Sequence, residues 1–512
     1  MLDGIIGFGT AIAGFMNPAS IFYALAACFV GFIIGALPGL TATMGVALMT
    51  TLTIKLPPSD ALLILICTYV GAIYGGSRSA ILLNIPGTPA SAASCLDGYA
   101  LARQGLAGRA MGIATSGSVL GTWIGMIALA FFTPVLGEMA LKFGAYEFFW
   151  LAMFGVVISG NLTGNDPIKG WLAGFLGLFL AGIGQEALFA FNRFTFGVHD
   201  LQGGVSLVPA LVGAFGLAEV LTVMKDRAKP VKVSGYDTVI PKLRDVTKYW
   251  RTIIRSGLIG TGIGIVPGVG EDVAAWSSYA AARRASKEKE LFGKGSVEGL
   301  MAAETGDNAC VPGAVIPVLT LSVPGSAPAA VLLAAMLIHG VNPGPLIMVE
   351  NPGFVYDVVA MMFIASIGIL IYGLTLTKLL VRVLQFPPLL IMPIIFVLCV
   401  IGSYAIASRL FDVYVMLAFG VIGFMLRQLN FPMAPLVLGI VLGDLLEKSL
   451  RRGLVLSDGD LTPFFTRPIS FVMFTLVALT ILMNIPLFNR LMGWLWFSLT
   501  GMFRRRDAGS QA

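Results

Sequence analysis

G-A-L-P-G-L-T-A-T, from Gly35 to Thr43, sets a Pro-Gly pair and two threonines in a stretch with no charged residue between Asp3 and Lys55. Proline removes a backbone donor and glycine weakens a helix, so one continuous helix cannot run through it. At membrane depth such a break survives only where protein or a water-lined cavity satisfies the freed backbone groups. The pattern returns in L-N-I-P-G-T-P (Leu83 to Pro89), G-I-V-P-G-V-G-E-D (Gly264 to Asp272) and L-S-V-P-G-S-A-P (Leu321 to Pro328). Gly35, Pro38 and Gly39 correspond to Gly264, Pro267 and Gly268. Asn84, Pro86, Gly87 and Thr88 correspond to Ser322, Pro324, Gly325 and Ser326. The order is the same and the offsets are nearly equal, which favours a duplication. Paired breaks in two halves of a membrane chain point to a transporter's binding site.

The surroundings fit a membrane. Of the 512 residues, 57% are hydrophobic and 12% charged, against about 25% charged in soluble domains. The mean hydropathy is +0.88. Uncharged runs lie between Arg109 and Glu138, Lys169 and Glu186, Arg382 and Arg409, and Arg467 and Arg490. Each approaches or exceeds the roughly 20 residues of a spanning helix, and the alternation of a β-barrel does not dominate. The expectation is an all-α polytopic membrane protein with about ten to twelve transmembrane helices. It would hold two structural repeats, with inverted as the commoner arrangement, and broken helices or re-entrant hairpins.

Candidate full helices lie near 60–76, 110–136, 145–160, 168–184, 205–224, 357–380, 388–407, 411–427, 431–447, 468–486 and 488–503. The first repeat covers 1–224, with hairpins near 20–54 and 78–98. The second covers 256–450, with hairpins near 256–282 and 303–342. Helices and a basic tail fill 451–512.

The net charge of +6 is gathered in a few loops and is no sign of nucleic-acid binding. Loop 225–255 holds nine Lys/Arg against three Asp; Arg283, Arg284, Lys287, Lys289 and Lys294 form a second cluster, and Arg504 to Arg506 a third. By the positive-inside rule all three face the cytoplasm. Segment 256–282 would then enter and leave on one side. Asp444 and Glu447, near Lys448, Arg451 and Arg452, read as a cytoplasmic helix end with ion-pair partners. The N-terminus lacks a basic n-region and is expected to be retained. The five cysteines lack metal-ligand spacing and read as small buried hydrophobes.

A helix restarting beyond a break presents unpaired N–H groups and the positive end of its dipole, which suits carboxylates and phosphates. The substrate-contact candidates are Gly39, Thr41, Thr43, Gly87, Thr88, Gly268, Gly325 and Ser326 at the breaks, with Ser77, Arg78 and Asn84 beside them. Arg78 is the one basic residue between Lys55 and Arg103. It could bind a substrate carboxylate, pair with Asp97, or snorkel to an interface. Asp97 itself resembles a turn residue more than a ligand. Asp272, Asp307 and Asn308, with Glu304 nearby, are candidates for cation coupling or proton relay. The plainer alternative makes 298–308 a solvated amphipathic start.

Catalysis finds little support. There are two histidines, His199 and His339, and no Walker A motif; no catalytic residue, resident metal or cofactor is expected. The runs G-A-L-P-G-L-T-A-T-M-G-V-A-L, Y-G-G-S-R-S-A-I-L-L-N-I-P-G-T-P-A-S-A-A-S-C-L-D-G-Y, G-I-V-P-G-V-G-E-D and T-L-S-V-P-G-S-A-P-A-A closely resemble the large membrane subunit of bacterial tripartite tricarboxylate transporters. The likeness covers nearly the whole chain. It implies an inner-membrane permease importing citrate or other di- and tricarboxylates on an ion gradient, with Na⁺ or H⁺ left open. The implied partners are a periplasmic solute-binding protein and a small membrane subunit. A stand-alone carboxylate symporter is the first alternative, and a membrane-embedded enzyme or scaffold the second.

Overall fold

A computed structural model describes residues 2–37, 39–162, 166–186, 190–226, 241, 243–376 and 388–483. The expected helix near 488–503, the basic tail, Pro38, residues 227–240 and residue 242 lie outside the described residues. The first half contains α1 (Leu2–Phe15), α2 (Pro18–Ala36), α3 (Ala42–Thr53), α4 (Pro58–Leu83), α5 (Ala92–Arg103) and α6 (Ala107–Ala140). Then come α7 (Ala145–Leu162), α8 (Pro167–Ala181) and α9 (Leu207–Leu211), which continues through a π-helical turn, Val212–Leu217, into α10 (Ala218–Asp226). The second half holds α11 (Leu243–Lys248), α12 (Trp250–Ile265), α13 (Gly270–Ala285), α14 (Val297–Leu321), α15 (Ala327–Ile338), α16 (Ile347–Glu350) and α17 (Phe354–Thr375). The last helices are α18 (Pro388–Ala407), α19 (Leu410–Gln428), α20 (Met433–Leu456), α21 (Thr462–Thr466) and α22 (Pro468–Leu482). Among the described residues one strand pair occurs, Gly184–Gln185 with Asn192–Arg193. Seven described helices are long and apolar enough to cross a bilayer.

Each Pro-Gly stretch lies between two helices, and corresponding stretches share their backbone geometry. Asn84 and Ser322 end α4 and α14 in the left-handed region, with φ of 57° and 56°. The N–H of Gly87 donates to the Gly76 carbonyl at 3.3 Å, and that of Gly325 to the Ala314 carbonyl at 3.3 Å. A Cβ at Gly87 would stand 2.0 Å from the carbonyl oxygen of Gly35; at Gly325 it would stand 2.0 Å from that of Gly264. Only glycine lets the returning chain lie so close to α2 and α12.

Small residues also set the helix pairs. Gly31 and Gly35 of α2 press on the backbone of Thr68 and Ala72 in α4, while Gly260 and Gly264 of α12 press on Gly306 and Cys310 in α14. Without a hydrophobic force between helices in lipid, such backbone contact is what packing can use. Direction follows from α6. It runs antiparallel to α4, pairing Tyr74 with Thr115 and Arg78 with Met111. It runs parallel to α14, setting Gly121 against Thr305 and Gly125 against Ala309. Hence α4 and α14 point in opposite directions.

Asp97 of α5 accepts the N–H groups of Gly293, Gly295 and Ser296 at 2.8, 2.9 and 2.8 Å, and the Tyr279 hydroxyl at 2.9 Å. Glu298 accepts Thr252 at 2.5 Å and Ser286 at 2.6 Å. These bonds gather the end of α5, both outer ends of the α12–α13 hairpin and the start of α14 at one basic end. There Arg109 pairs with Asp245 at 2.7 Å. Lys248, 2.8 Å from Glu288, holds that carboxyl below the usual range. At the opposite end Ser20 of α2 donates to Asp60 at the start of α4, at 3.1 Å.

Asp444, Glu447, Lys448 and Arg451 depart from the sequence expectation. They line a cavity of about 440 Å³ with Ser322 and Leu337, at the end opposite the basic loops. Only their end of the molecule differs, since the expected ion pairs are present: Arg451 bonds Glu447 at 2.9 Å and Lys448 bonds Asp444 at 2.7 Å, and Arg193 also grips Glu447 at 2.6 and 2.7 Å.

Gly325→Val should lower the melting temperature in detergent, because overpacking of this kind costs about 1–3 kcal/mol or more. Gly9→Val, where nothing lies within 4 Å of the new Cβ, should leave it unchanged.

Candidate functional site

All four breaks reach one cavity of about 430 Å³. Its walls are Thr41 to Thr43, Thr88 to Ala90, Gly268 to Asp272, and Ala327 with Pro328; Ile73, Phe215, Arg427 and Pro432 to Ala434 close it. Three of the restarting helices bring neutral N-termini. Thr41 caps α3 by accepting the Met44 N–H at 3.2 Å, and Ser326 caps α15 by accepting that of Ala329 at 3.3 Å. Thr88 precedes the turn into α5, and its buried hydroxyl has no partner among the described residues. The fourth, α13, begins with Glu271 and Asp272, so carboxylates already answer its dipole.

The buried Glu271 accepts the hydroxyl of Tyr69 from α4, which also bonds Ser326 at 2.7 Å. That chain of hydroxyls ties three elements at the cavity floor. Arg427 is the cation among the lining residues, and it pairs with Glu219 of α10. The lining thus combines helix N-termini, hydroxyls and a guanidinium with two carboxylates. Such a site can take an anion and a cation together.

The structure brings Thr41, Thr43, Thr88, Gly268 and Asp272 to this cavity. Ser326 and Gly325 lie directly behind Ala327; Gly39 stands beside Glu219, and Gly87 packs beneath Thr88. Ser77, Arg78, Asn84, Asp307 and Asn308 do not line it. Asn84 is an exposed helix cap. Sequence reasoning passed over Arg427, Glu219 and Tyr69. The run R-Q-L-N-F-P, with an arginine just before a proline break, was the available signal.

Arg78 and the acidic run of α14 form a separate buried cluster. Arg78 is 1% exposed, so it does not snorkel. Its Nη1 donates to the Met111 carbonyl at 2.9 Å and its guanidinium carbon lies 4.3 Å from the Tyr74 ring centroid. Asp97 is engaged elsewhere, and Arg78 Nε and Nη2 have no hydrogen-bond partner among the described residues; the buried carboxylate of the cluster, Glu304, is held by Ser94 at 2.5 Å and Ser118 at 3.0 Å. Glu304, Asp307 and Asn308 are all fully buried, which removes the solvated-start alternative. Asn308 donates to Asp307 at 2.8 Å, leaving Asp307 Oδ2 and Asn308 Oδ1 without hydrogen-bond partners among the described residues. Glu304→Gln should destabilise by about 1 kcal/mol in thermal melts, because one of the two serine hydroxyls that donate to the carboxylate loses its acceptor.

The chain resembles two proteins of Agrobacterium vitis. One, described as "Uncharacterized 52.8 kDa protein in TAR-I ttuC' 3'region", is 36% identical over 466 residues, covering 91% of this chain and 92% of that one. The other, "Uncharacterized protein in TAR-II ttuC' 3'region", is 36% identical over 211 residues, covering 41% and 87%. No solved structure matches. The family model described as the tripartite tricarboxylate transporter TctA family matches residues 21–438, a span that takes in all four breaks and the cavity they line. The chain therefore belongs to the tripartite tricarboxylate transporter TctA family.

Proposed function

We propose that this chain is the permease of a secondary active importer that carries citrate-like di- and tricarboxylates across the bacterial inner membrane. An ion gradient drives it, a periplasmic solute-binding protein feeds it, and a small membrane subunit accompanies it. The basic end faces the cytoplasm. Family membership supports the transporter class, and one observation carries the rest: four helix breaks from both halves meet at a single cavity that joins neutral helix N-termini and Arg427 to Glu271 and Asp272. Dipole ends and a guanidinium suit carboxylates. The acids suit the coupling cation, whether Na⁺ or H⁺, with Asp307 and Asn308 as a deeper station. The opposite directions of α4 and α14 support an inverted pair of repeats, whose rocking would open the cavity alternately to either side.

Proteoliposomes holding the permease and small subunit test this with labelled carboxylates and added binding protein, under imposed Na⁺ or pH gradients. Citrate-class uptake should require the binding protein and one gradient. Uptake independent of the binding protein would favour a stand-alone symporter, and uptake without either gradient would contradict secondary transport. Arg427→Ala should weaken transport ten- to hundredfold, the equivalent of about 1.5–3 kcal/mol for a charge-assisted contact. Thr88→Ala should raise KM about fivefold, as losing a neutral hydrogen bond of about 1 kcal/mol predicts.

A further inference from the structure

The cavity at the breaks and the second cavity lie along the same three elements. On α20, Met433 and Ala434 line the first, while Ile440, Val441 and Asp444 line the second. On α15 the change falls between Pro328 and Leu333, and along α9 and its π-helical turn between Phe215 and Leu207. At the helical rise per residue these gaps are only about 8–12 Å. The cavities also lie toward different ends. Arg427 of the first precedes Gln428, which Lys225 holds at the edge of the basic loop. The second lies toward the opposite end, where α15 finishes at His339, 3.4 Å from Thr53.

The layer between them is wholly apolar. V-P-A-L-V-G-A (Val208 to Ala214), A-A-V-L (Ala329 to Leu332) and P-L-V-L-G (Pro435 to Gly439) contain no polar side chain. Val208, Leu211, Val331, Leu436 and Val437 are at most 2% exposed and belong to one packed core. An anion cannot cross such a layer while it is closed.

The layer is also built differently from its surroundings. A Cβ at Gly439 would stand 2.2 Å from the Gly174 carbonyl oxygen, so α20 lies backbone to backbone on α8. A Cβ at Gly213 would stand 2.2 Å from that of Met416, so the π-helical turn lies equally close to α19. Among the described residues, no glycine presses α9, α15 or α20 onto the backbone of another of the three. Side chains alone close the layer, and the irregular π-helical turn on one side of it is a common form of hinge.

The second cavity sets Arg193, Lys448 and Arg451 against Glu186, Asp444 and Glu447. Arg451 reaches Glu447 at 2.9 Å and Glu186 at 3.5 Å. Cations already answered by acids hold a passing anion loosely, and a path must release its cargo as well as admit it. Resting on the carboxylate-permease reading above, we propose that the second cavity is the outer vestibule of the same transport path. A carboxylate entering from outside pauses there between charges of both signs. The apolar layer is the gate between vestibule and central site, and it is closed in this structure.

Cysteine variants of the reconstituted complex, reacted with a membrane-impermeant methanethiosulfonate from either side, test both parts. Val441→Cys and Ala434→Cys stand on one helix about 10 Å apart, and the parent protein, whose cysteines are buried or half-buried, is the blank. Without substrate, Val441→Cys should react from the outer side. Ala434→Cys should react from the basic side, and about tenfold or more slowly from the outer side, as expected of a minor open state. Leu436→Ala, which thins the layer, should raise that outer rate about tenfold; Val331→Ala serves if it fails to fold. Reagent on Val441→Cys should block citrate uptake, and citrate should slow the reaction. Ala434→Cys reacting equally fast from both sides of an unaltered layer overturns the gate. Modified Val441→Cys that still takes up citrate overturns the vestibule. Modified Ala434→Cys that still takes up citrate would instead overturn the reading beneath both.

Discussion

A chain that breaks its helices in a hydrocarbon layer must find partners for every freed N–H and C=O, and this requirement shapes the molecule. The returning segments at 84–88 and 322–326 meet it by lying directly on α2 and α4, and on α12 and α14. Gly87 and Gly325 touch the carbonyls of Gly35 and Gly264, and donate to Gly76 and Ala314. Those contacts need glycine at both surfaces, which in turn brings α2 onto α4 and α12 onto α14 at backbone distance. Once both hairpin pairs are fixed, their restarting helices point at one place. The cavity is the geometric consequence of satisfying the breaks.

Charge is sorted around that frame. At the basic end, Asp97 and Glu298 tie loops together through backbone N–H groups and hydroxyls. At the opposite end, Arg193, Lys448 and Arg451 are neutralised by Glu447 and Asp444. Between them lie two buried groups of different kind. The Arg78–Glu304 cluster is sealed in protein between α4, α5, α6 and α14, which suits a strut. The Arg427–Glu219 pair opens on the cavity, where a ligand can reach Arg427.

Much of this was legible in the sequence. The apolar runs, the four Pro-Gly stretches and their nearly equal offsets pointed to the helical membrane class and the break positions, because those depend on local backbone chemistry. Thr41, Thr43, Thr88, Gly268 and Asp272 could be picked for the same reason: each sits within a few residues of a break. Arg78 could not be placed, since its neighbours Met111 and Glu304 come from distant helices. Arg427 and Glu219, 208 residues apart, are a helix-end arginine and one acid in an ordinary helix until the fold puts them together. The ion pairs expected at 444–451 are present, but the segment lies at the end opposite the basic loops, which spacing along the chain does not give.

The role proposed for the four breaks is to enclose one anion site. A cryo-electron microscopy map of the membrane complex with citrate tests it most directly. The account predicts density for the anion between the N-termini of α3 and α15, within hydrogen-bond distance of Thr88 and Arg427. Density confined to the second cavity, beside Arg193 and Arg451, with the space between the breaks empty, would contradict it.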